Sequence, residues 1–221
     1  VAVESEPRGV LWDLDGTLVD SAEQHYAAWR DTLAVRGRAH PREEFARFFG
    51  RRNDAILAEM FGDTLDSAEH ARIADEKERR YRQLVRTDGL RPLPGVVDWL
   101  RRLREQGFRQ ALATMAPAAN VEVVVEVLGV GAFLDATVAA EDVPSGKPAP
   151  DIFLEAARRI VVPPRRCIVV EDAPAGLEGA RRAGMRSVGV LSEHHPRLEA
   201  DTVVTTLTAL PPDAIRSLLD P

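Results

Sequence analysis

Gly9-Val10-Leu11-Trp12-Asp13-Leu14-Asp15-Gly16-Thr17-Leu18 is an apolar run that ends in two carboxylates one residue apart, followed by a Gly-Thr turn. The apolar part predicts a buried strand over residues 9–14, with Gly16 ending it. Acids at i and i+2 of a strand point to one side, because side chains alternate with period two. Two anions held side by side repel each other. A divalent cation relieves that repulsion and turns the pair into a site. The plainer alternative is a solvated strand cap without function, and the rest of the chain weighs between the two.

The chain has 221 residues, of which 45% are apolar, enough for one large domain or one and a half average ones. A net charge of −6 argues against nucleic acid as the main partner, but not against a small anionic substrate held in a local positive field. The single cysteine, Cys167, lies in the apolar run Cys167-Ile168-Val169-Val170 and is expected in the core rather than as a reactive thiol. No apolar stretch reaches the roughly 18 residues that suggest a membrane span. Residues 1–9 are polar and lack the basic-then-apolar order of a signal peptide. These features lead us to expect a cytoplasmic protein with no membrane partner, either a monomer or a homodimer.

Outward from the first strand, helical spacing covers residues 21–35, 41–49, 53–60 and 67–87, and no strand signal appears before Arg91. Ser21, with Glu23 and Gln24 behind it, is the candidate N-cap of the first helix. Arg91-Pro92-Leu93-Pro94-Gly95 breaks the pattern. Helix and strand then alternate, with helices over 96–106, 118–128, 150–160 and 174–183. The strands fall over 109–114, 136–139, 167–171, 186–190 and 202–204. Such alternation predicts an α/β fold with a doubly wound, parallel, Rossmann-like sheet. Residues 1–20 and 92–221 are assigned to that core domain, and residues 21–91 to a small all-helical cap domain inserted after the first strand. An insert at that point sits over the C-terminal edge of the sheet, where open α/β folds bind ligands. It is therefore placed like a lid, unless it serves only stability.

Four strand ends carry polar groups. They are Asp13 with Asp15, Thr114 with Met115, Lys147 in Ser145-Gly146-Lys147-Pro148, and Glu171-Asp172. Together they describe a phosphate site with a metal. Asp13 and Asp172 offer the oxygen ligands that Mg²⁺ prefers. Lys147 can neutralise phosphate oxygens and Thr114 can donate a hydroxyl, with backbone N–H groups after Asp13 and Thr114 completing the cradle. Singly, Thr114 reads as a strand-end hydroxyl, Lys147 as a loop lysine, and Glu171-Asp172 as a helix cap. The Lys147-Pro148 bond can be cis or trans.

In chain order these residues resemble the haloacid dehalogenase superfamily. Asp13-Leu14-Asp15-Gly16-Thr17 matches its first motif, Thr114 the second, Lys147 the third and Glu171-Asp172 the fourth, so that the likeness spans essentially the whole chain. The subclass most similar is β-phosphoglucomutase and its sugar-phosphatase relatives. That likeness rests on residues 13–29, on Lys77 with Tyr81, and on Gly146-Lys147-Pro148-Ala149-Pro150-Asp151-Ile152-Phe153.

The resemblance implies a Mg²⁺-dependent phosphatase in which Asp13 attacks phosphorus and forms an aspartyl-phosphate. Asp15 would be the general acid and base, lending the metal only its backbone oxygen. Thr114, Met115 and Lys147 would bind the phosphoryl group, while Asp13, Asp15, Glu171 and Asp172 would make the metal site. Substrate choice would fall to the cap residues His25, Arg51, Arg52, Asn53 and Lys77. Without the resemblance, His25 reads as a packing histidine and Lys77 and Arg51 as solvated charges. The chain departs from the mutase pattern in two places. Asn53 stands where that pattern has an arginine, and Met115-Ala116-Pro117 replaces its Ser-Lys pair. The departures favour hydrolysis of a small sugar or polyol monophosphate over a β-phosphoglucomutase-type transfer. Metal-free dehalogenation and a non-enzymatic binding module are the rivals; Asp15, Glu171 and Asp172 together speak against the first, and the intact set Asp13, Asp15, Thr114, Lys147 and Asp172 against the second.

Overall fold

The computed structural model describes residues 6–48 and 51–220. Strands β1 (Gly9–Trp12), β2 (Arg109–Ala113), β3 (Ala136–Val138), β4 (Cys167–Glu171), β5 (Arg186–Val190) and β6 (Thr202–Val204) form one sheet. Every pairing is parallel and the order is β3-β2-β1-β4-β5-β6. The order reverses at β1, which pairs with β2 on one side and β4 on the other. The crevice of a doubly wound sheet opens at such a reversal, beyond the carboxyl ends of the strands.

Helices α1 (Ala22–Ala34), α2 (Arg42–Phe48), α3 (Asn53–Phe61) and α4 (Ser67–Asp88) all lie between β1 and β2. Helix α5 (Val96–Glu105) leads into β2, and α6 (Ala118–Leu128), α7 (Asp151–Arg159) and α8 (Pro174–Arg182) make the later crossovers. A final helix, α9 (Ala214–Leu219), follows β6.

Alternation along the strands fills both faces of the sheet. Val10 and Trp12 pack with Leu112, Ile168, Val170, Trp99 and Leu100. Leu11 points the other way and packs with Ala111, Val169, Phe153, Ala156 and Cys167. Cys167 is fully buried, and burial pushes its thiol up to about 12, which removes it from thiolate chemistry. The helical segment has a cluster of its own, built from Trp29, Leu33, Phe45, Phe48, Ile56, Leu57 and Ile73. Ala28, Tyr81 and Val85 of that segment instead join the core on one sheet face. No helix among the described residues is long and apolar enough to cross a membrane.

The structure corrects the expected first strand, which stops at Trp12 rather than residue 14. Ser21 occupies the N-cap position of α1 but makes no capping bond, because its hydroxyl donates to Asp15 instead. Helix α9 is absent from the sequence reading. Other element ends agree to within a residue, the expected spread of such boundaries, apart from the expected helix end at Phe49, which lies outside the described residues.

Candidate active site

The two acids of the opening stretch part company because the strand ends before them. The Asp13 N–H still donates to the Val170 carbonyl at 3.0 Å, extending the ladder by one bond. The chain then turns tightly, with the Leu14 carbonyl accepting from Leu18 N at 2.9 Å and Val19 N at 3.1 Å. Gly16 in this turn has φ +87°, and a Cβ there would lie 2.3 Å from Asp172 Oδ2. The turn and the close approach of β4's end therefore both require glycine. Asp13 faces Lys147, whereas Asp15 faces Ser21 and His25. The strand ends before either acid, so the pair is not held by one strand face, although both line the same cavity.

Asp13, Glu171 and Asp172 are buried, each with a carboxylate oxygen within 4.8 Å of the others'. Lys147 Nζ lies 2.5 Å from Asp13 Oδ1 and 2.7 Å from Glu171 Oε1. Burial, with Glu171 and Asp172 adding to it, holds the Asp13 carboxyl well above its usual range, against the pull of Lys147. Burial opposes the Lys147 charge, but Asp13 and Glu171 outweigh it and raise its affinity for the proton. Three carboxylates facing one ammonium leave an excess of negative charge on oxygen donors, which fits a hard divalent cation. The other Glu171 oxygen accepts from Ala173 N at 2.6 Å. A Cβ on Gly176 would lie 1.8 Å from Glu171 Oε1, so the first turn of α8 has no room beside this carboxylate. His195 Nδ1 lies 3.8 Å from Asp172 Oδ2, and that carboxylate raises the imidazole pKa.

At the end of β2, Thr114 N donates to the Val138 carbonyl at 3.0 Å and its hydroxyl accepts from Ala116 N at 3.1 Å. The Lys147-Pro148 bond, left open by sequence, is cis.

All the sequence-predicted site residues line one cavity of about 460 Å³. Asp13, Asp15, Thr114, Met115, Lys147, Glu171 and Asp172 reach it from the strand ends. His25, Arg51, Arg52, Asn53 and Lys77 reach it from the helical segment, as do the apolar side chains Trp29, Phe45, Phe48 and Ile56. Arg51 and Arg52 hold Glu59 at 2.8 Å and Asp54 at 3.3 Å.

Lys77 is not a solvated charge. It is 2% exposed, with Nζ 2.9 Å from His25 Nδ1 and 2.8 Å from Glu78 Oε1. The His25 ring stacks on Tyr81 at 3.9 Å and sets Nε2 3.5 Å from Asp15 Oδ1. Burial opposes the Asp15 charge, yet His25 and Ser21 prevail and lower its pKa. Sequence reasoning missed Ser21's role as donor to Asp15, together with Glu78, Asn120 and His195. Helical spacing carried part of the signal, since Ile73, Lys77, Tyr81 and Val85 recur every four residues along one buried stripe of α4.

Glu78 anchors this stripe. Oε1 accepts from Asn53 Nδ2 at 2.6 Å and from Lys77, while Oε2 accepts from Asn120 Nδ2 at 2.5 Å. Burial works against its charge, but Lys77, His25 and Asn53 bring the carboxyl down to about 2. A depressed folded pKa contributes stability that is present above the unfolded value near 4.3 and is lost as pH falls through the folded one. Glu78→Gln should therefore cost on the order of 2–3 kcal/mol at neutral pH. The gap from wild type should narrow between about pH 4.5 and 2. Urea titrations across that range check this, and a gap independent of pH would contradict it.

The family model for haloacid dehalogenase-like hydrolases matches residues 7–184. Fructose-1-phosphate phosphatase YqaB of Escherichia coli (strain K12) is 36% identical over 186 residues, 82% of this chain and 95% of that protein. Beta-phosphoglucomutase of Bacillus subtilis (strain 168) is 32% identical over 205 residues, covering 89% and 88% of the two chains. The crystal structure of CbbY from Rhodobacter sphaeroides in complex with phosphate superposes with a TM-score of 0.85 at 27% identity, over 92% of this chain and 96% of that one.

Proposed function

We infer that this chain, which belongs to the haloacid dehalogenase-like hydrolases, is a phosphoric monoester hydrolase that takes a small sugar or polyol monophosphate and passes through an aspartyl-phosphate. One observation carries the reading. Asp13 after β1, Lys147 in the loop after β3, and Glu171 and Asp172 at the end of β4 converge, while Asp15 faces Ser21 and His25. Asp13, Glu171 and Asp172 would hold Mg²⁺, with the backbone oxygen of Asp15. The bound ion would supply positive charge between the phosphoryl oxygens and these carboxylates.

Asp13 Oδ attacks phosphorus in line with the ester oxygen, and the P–O ester bond breaks as the Asp13–phosphorus bond forms. The ester oxygen leaves with a proton from Asp15. Water then attacks the same phosphorus and gives its proton to Asp15, which frees Asp13 and releases phosphate. Lys147, the Thr114 hydroxyl and the Met115 N–H face the transferring oxygens and stabilise their growing charge. His25 and Ser21 keep the Asp15 carboxylate turned away from the anionic cluster, so that the two acids take separate roles.

Hydrolysis is favoured over a mutase reaction by the far end of the cavity. The Asn53 amide is committed to Glu78, Arg51 and Arg52 are paired with acids, and Pro117 carries no charge. A second phosphate would find few uncommitted cations there. A phosphate-release screen over sugar, polyol and nucleotide monophosphates tests the reading. We expect release from sugar or polyol phosphates, its loss on chelation with EDTA and its return with Mg²⁺. Conversion of β-glucose 1-phosphate to glucose 6-phosphate with a bisphosphate primer, without phosphate release, would instead identify a mutase. Metal-independent halide release from a haloacid would identify a dehalogenase.

A further inference from the structure

Two successive turns of α4 present two adjacent pairs of side chains with different partners. Lys77 and Tyr81 hold His25, the first through Nδ1 at 2.9 Å and the second by stacking. Glu78 and Arg82 hold Asn120 of α6, which belongs to the sheet-forming part of the chain. Asn120 Nδ2 donates to Glu78 Oε2 at 2.5 Å, and Asn120 Oδ1 accepts from Arg82 Nη1 at 2.9 Å. Asn120 is fully buried, and both ends of its amide are used by α4.

The bonds form a continuous path. It runs from Asn120 after β2 to Glu78 and Lys77 on α4, to His25 on α1, and returns to Asp15 after β1. A neutral amide suits its place, since it donates to a carboxylate and accepts from a guanidinium at once, which neither an acid nor a base does. Charged groups at both ends make these bonds stronger than neutral ones.

We propose that Asn120 is a positioning residue for ester hydrolysis, clasping α4 to α6 so that Glu78 and Lys77 hold His25 against Asp15. The proposal rests on the function proposed above. Its effect falls on substrates whose leaving oxygen needs a proton. Acetyl phosphate is the control, because acetate leaves without one and general-acid help matters little.

The test is Asn120→Asp, which loses the donor to Glu78, beside Arg82→Gln, which replaces the charged donor to Asn120 with a shorter, neutral amide and carries the test should the first variant fail to fold. For the best monophosphate of the screen, kcat/KM relative to that for acetyl phosphate should fall about tenfold in Asn120→Asp and less in Arg82→Gln, in line with loss of a charge-assisted bond. Amide hydrogen exchange, which needs no turnover, should quicken across α1 around His25 while the sheet keeps its protection. A proportional loss with both substrates marks a merely structural role and overturns the proposal, as does unchanged exchange in α1. If the wild type releases phosphate from no monophosphate, the functional reading fails, and the exchange result alone decides whether Asn120 clasps α4.

Discussion

Asp13→Asn should lower phosphate release by about 10,000-fold or more, the scale seen when an enzyme loses its covalent nucleophile. The amide fills the same space but has no anionic oxygen to attack phosphorus. Its effect on stability should run the other way. Burial and the neighbouring Glu171 and Asp172 already disfavour charge on Asp13, so a neutral group removes a repulsion while leaving Lys147 its contact with Glu171. We expect the melting temperature to hold or rise. Phosphate release at saturating substrate and thermal unfolding of the same preparation check both halves. Turnover within tenfold of wild type would remove Asp13 from the nucleophile's place, and a large fall in melting temperature would show that its charge is structural.

The second large effect is expected from Lys147→Met. This side chain is 9% exposed and bridges Asp13 and Glu171. Without it, three buried carboxylates face one another with that ammonium gone, and uncompensated buried charge costs about 3–5 kcal/mol. Activity should fall as well, because the transferring phosphoryl oxygens lose their nearest cation. The pH dependence is signed. The raised Lys147 pKa means that its contribution is fully present below the unfolded value near 10.4 and fades only above it. In the variant the Asp13 carboxyl, which loses the pull of Lys147, should take up a proton more readily than in wild type. Its deficit should therefore shrink as pH falls from 7 towards 4. Melting temperatures of both proteins across that range measure the effect, and a deficit that grows on acidification would contradict it.

Much of this was legible in the sequence for physical reasons. Strands β4, β5 and β6 have their expected bounds, and β4 carries the plainest signal, an unbroken apolar run. Strand β1 was read two residues too long because Leu14 continues the apolar pattern, although its carbonyl closes the turn that ends the strand. Helix α9 went unread because six residues that bury only Ile215 carry little periodic signal. Asp13, Thr114, Lys147, Glu171 and Asp172 are legible from their order along the chain. The ties around them are not: Glu78 and Asn120 lie 42 positions apart, and no local pattern pairs them. Glu78 also hides in the run Asp75-Glu76-Lys77-Glu78-Arg79-Arg80, where charge suggests solvent. Only the four-residue repeat of Ile73, Tyr81 and Val85 hints that the 77 and 78 side chains turn inward.

The most direct test of the central claim is chemical trapping of the phosphorylated enzyme. Wild-type protein turning over a responsive sugar monophosphate is quenched in acid, reduced with borohydride and mapped by peptide mass spectrometry. An acyl phosphate on Asp13 should be recovered as homoserine at position 13. Phosphate release with position 13 unaltered, or with the reduced residue found at Asp15, Glu171 or Asp172, would contradict the account.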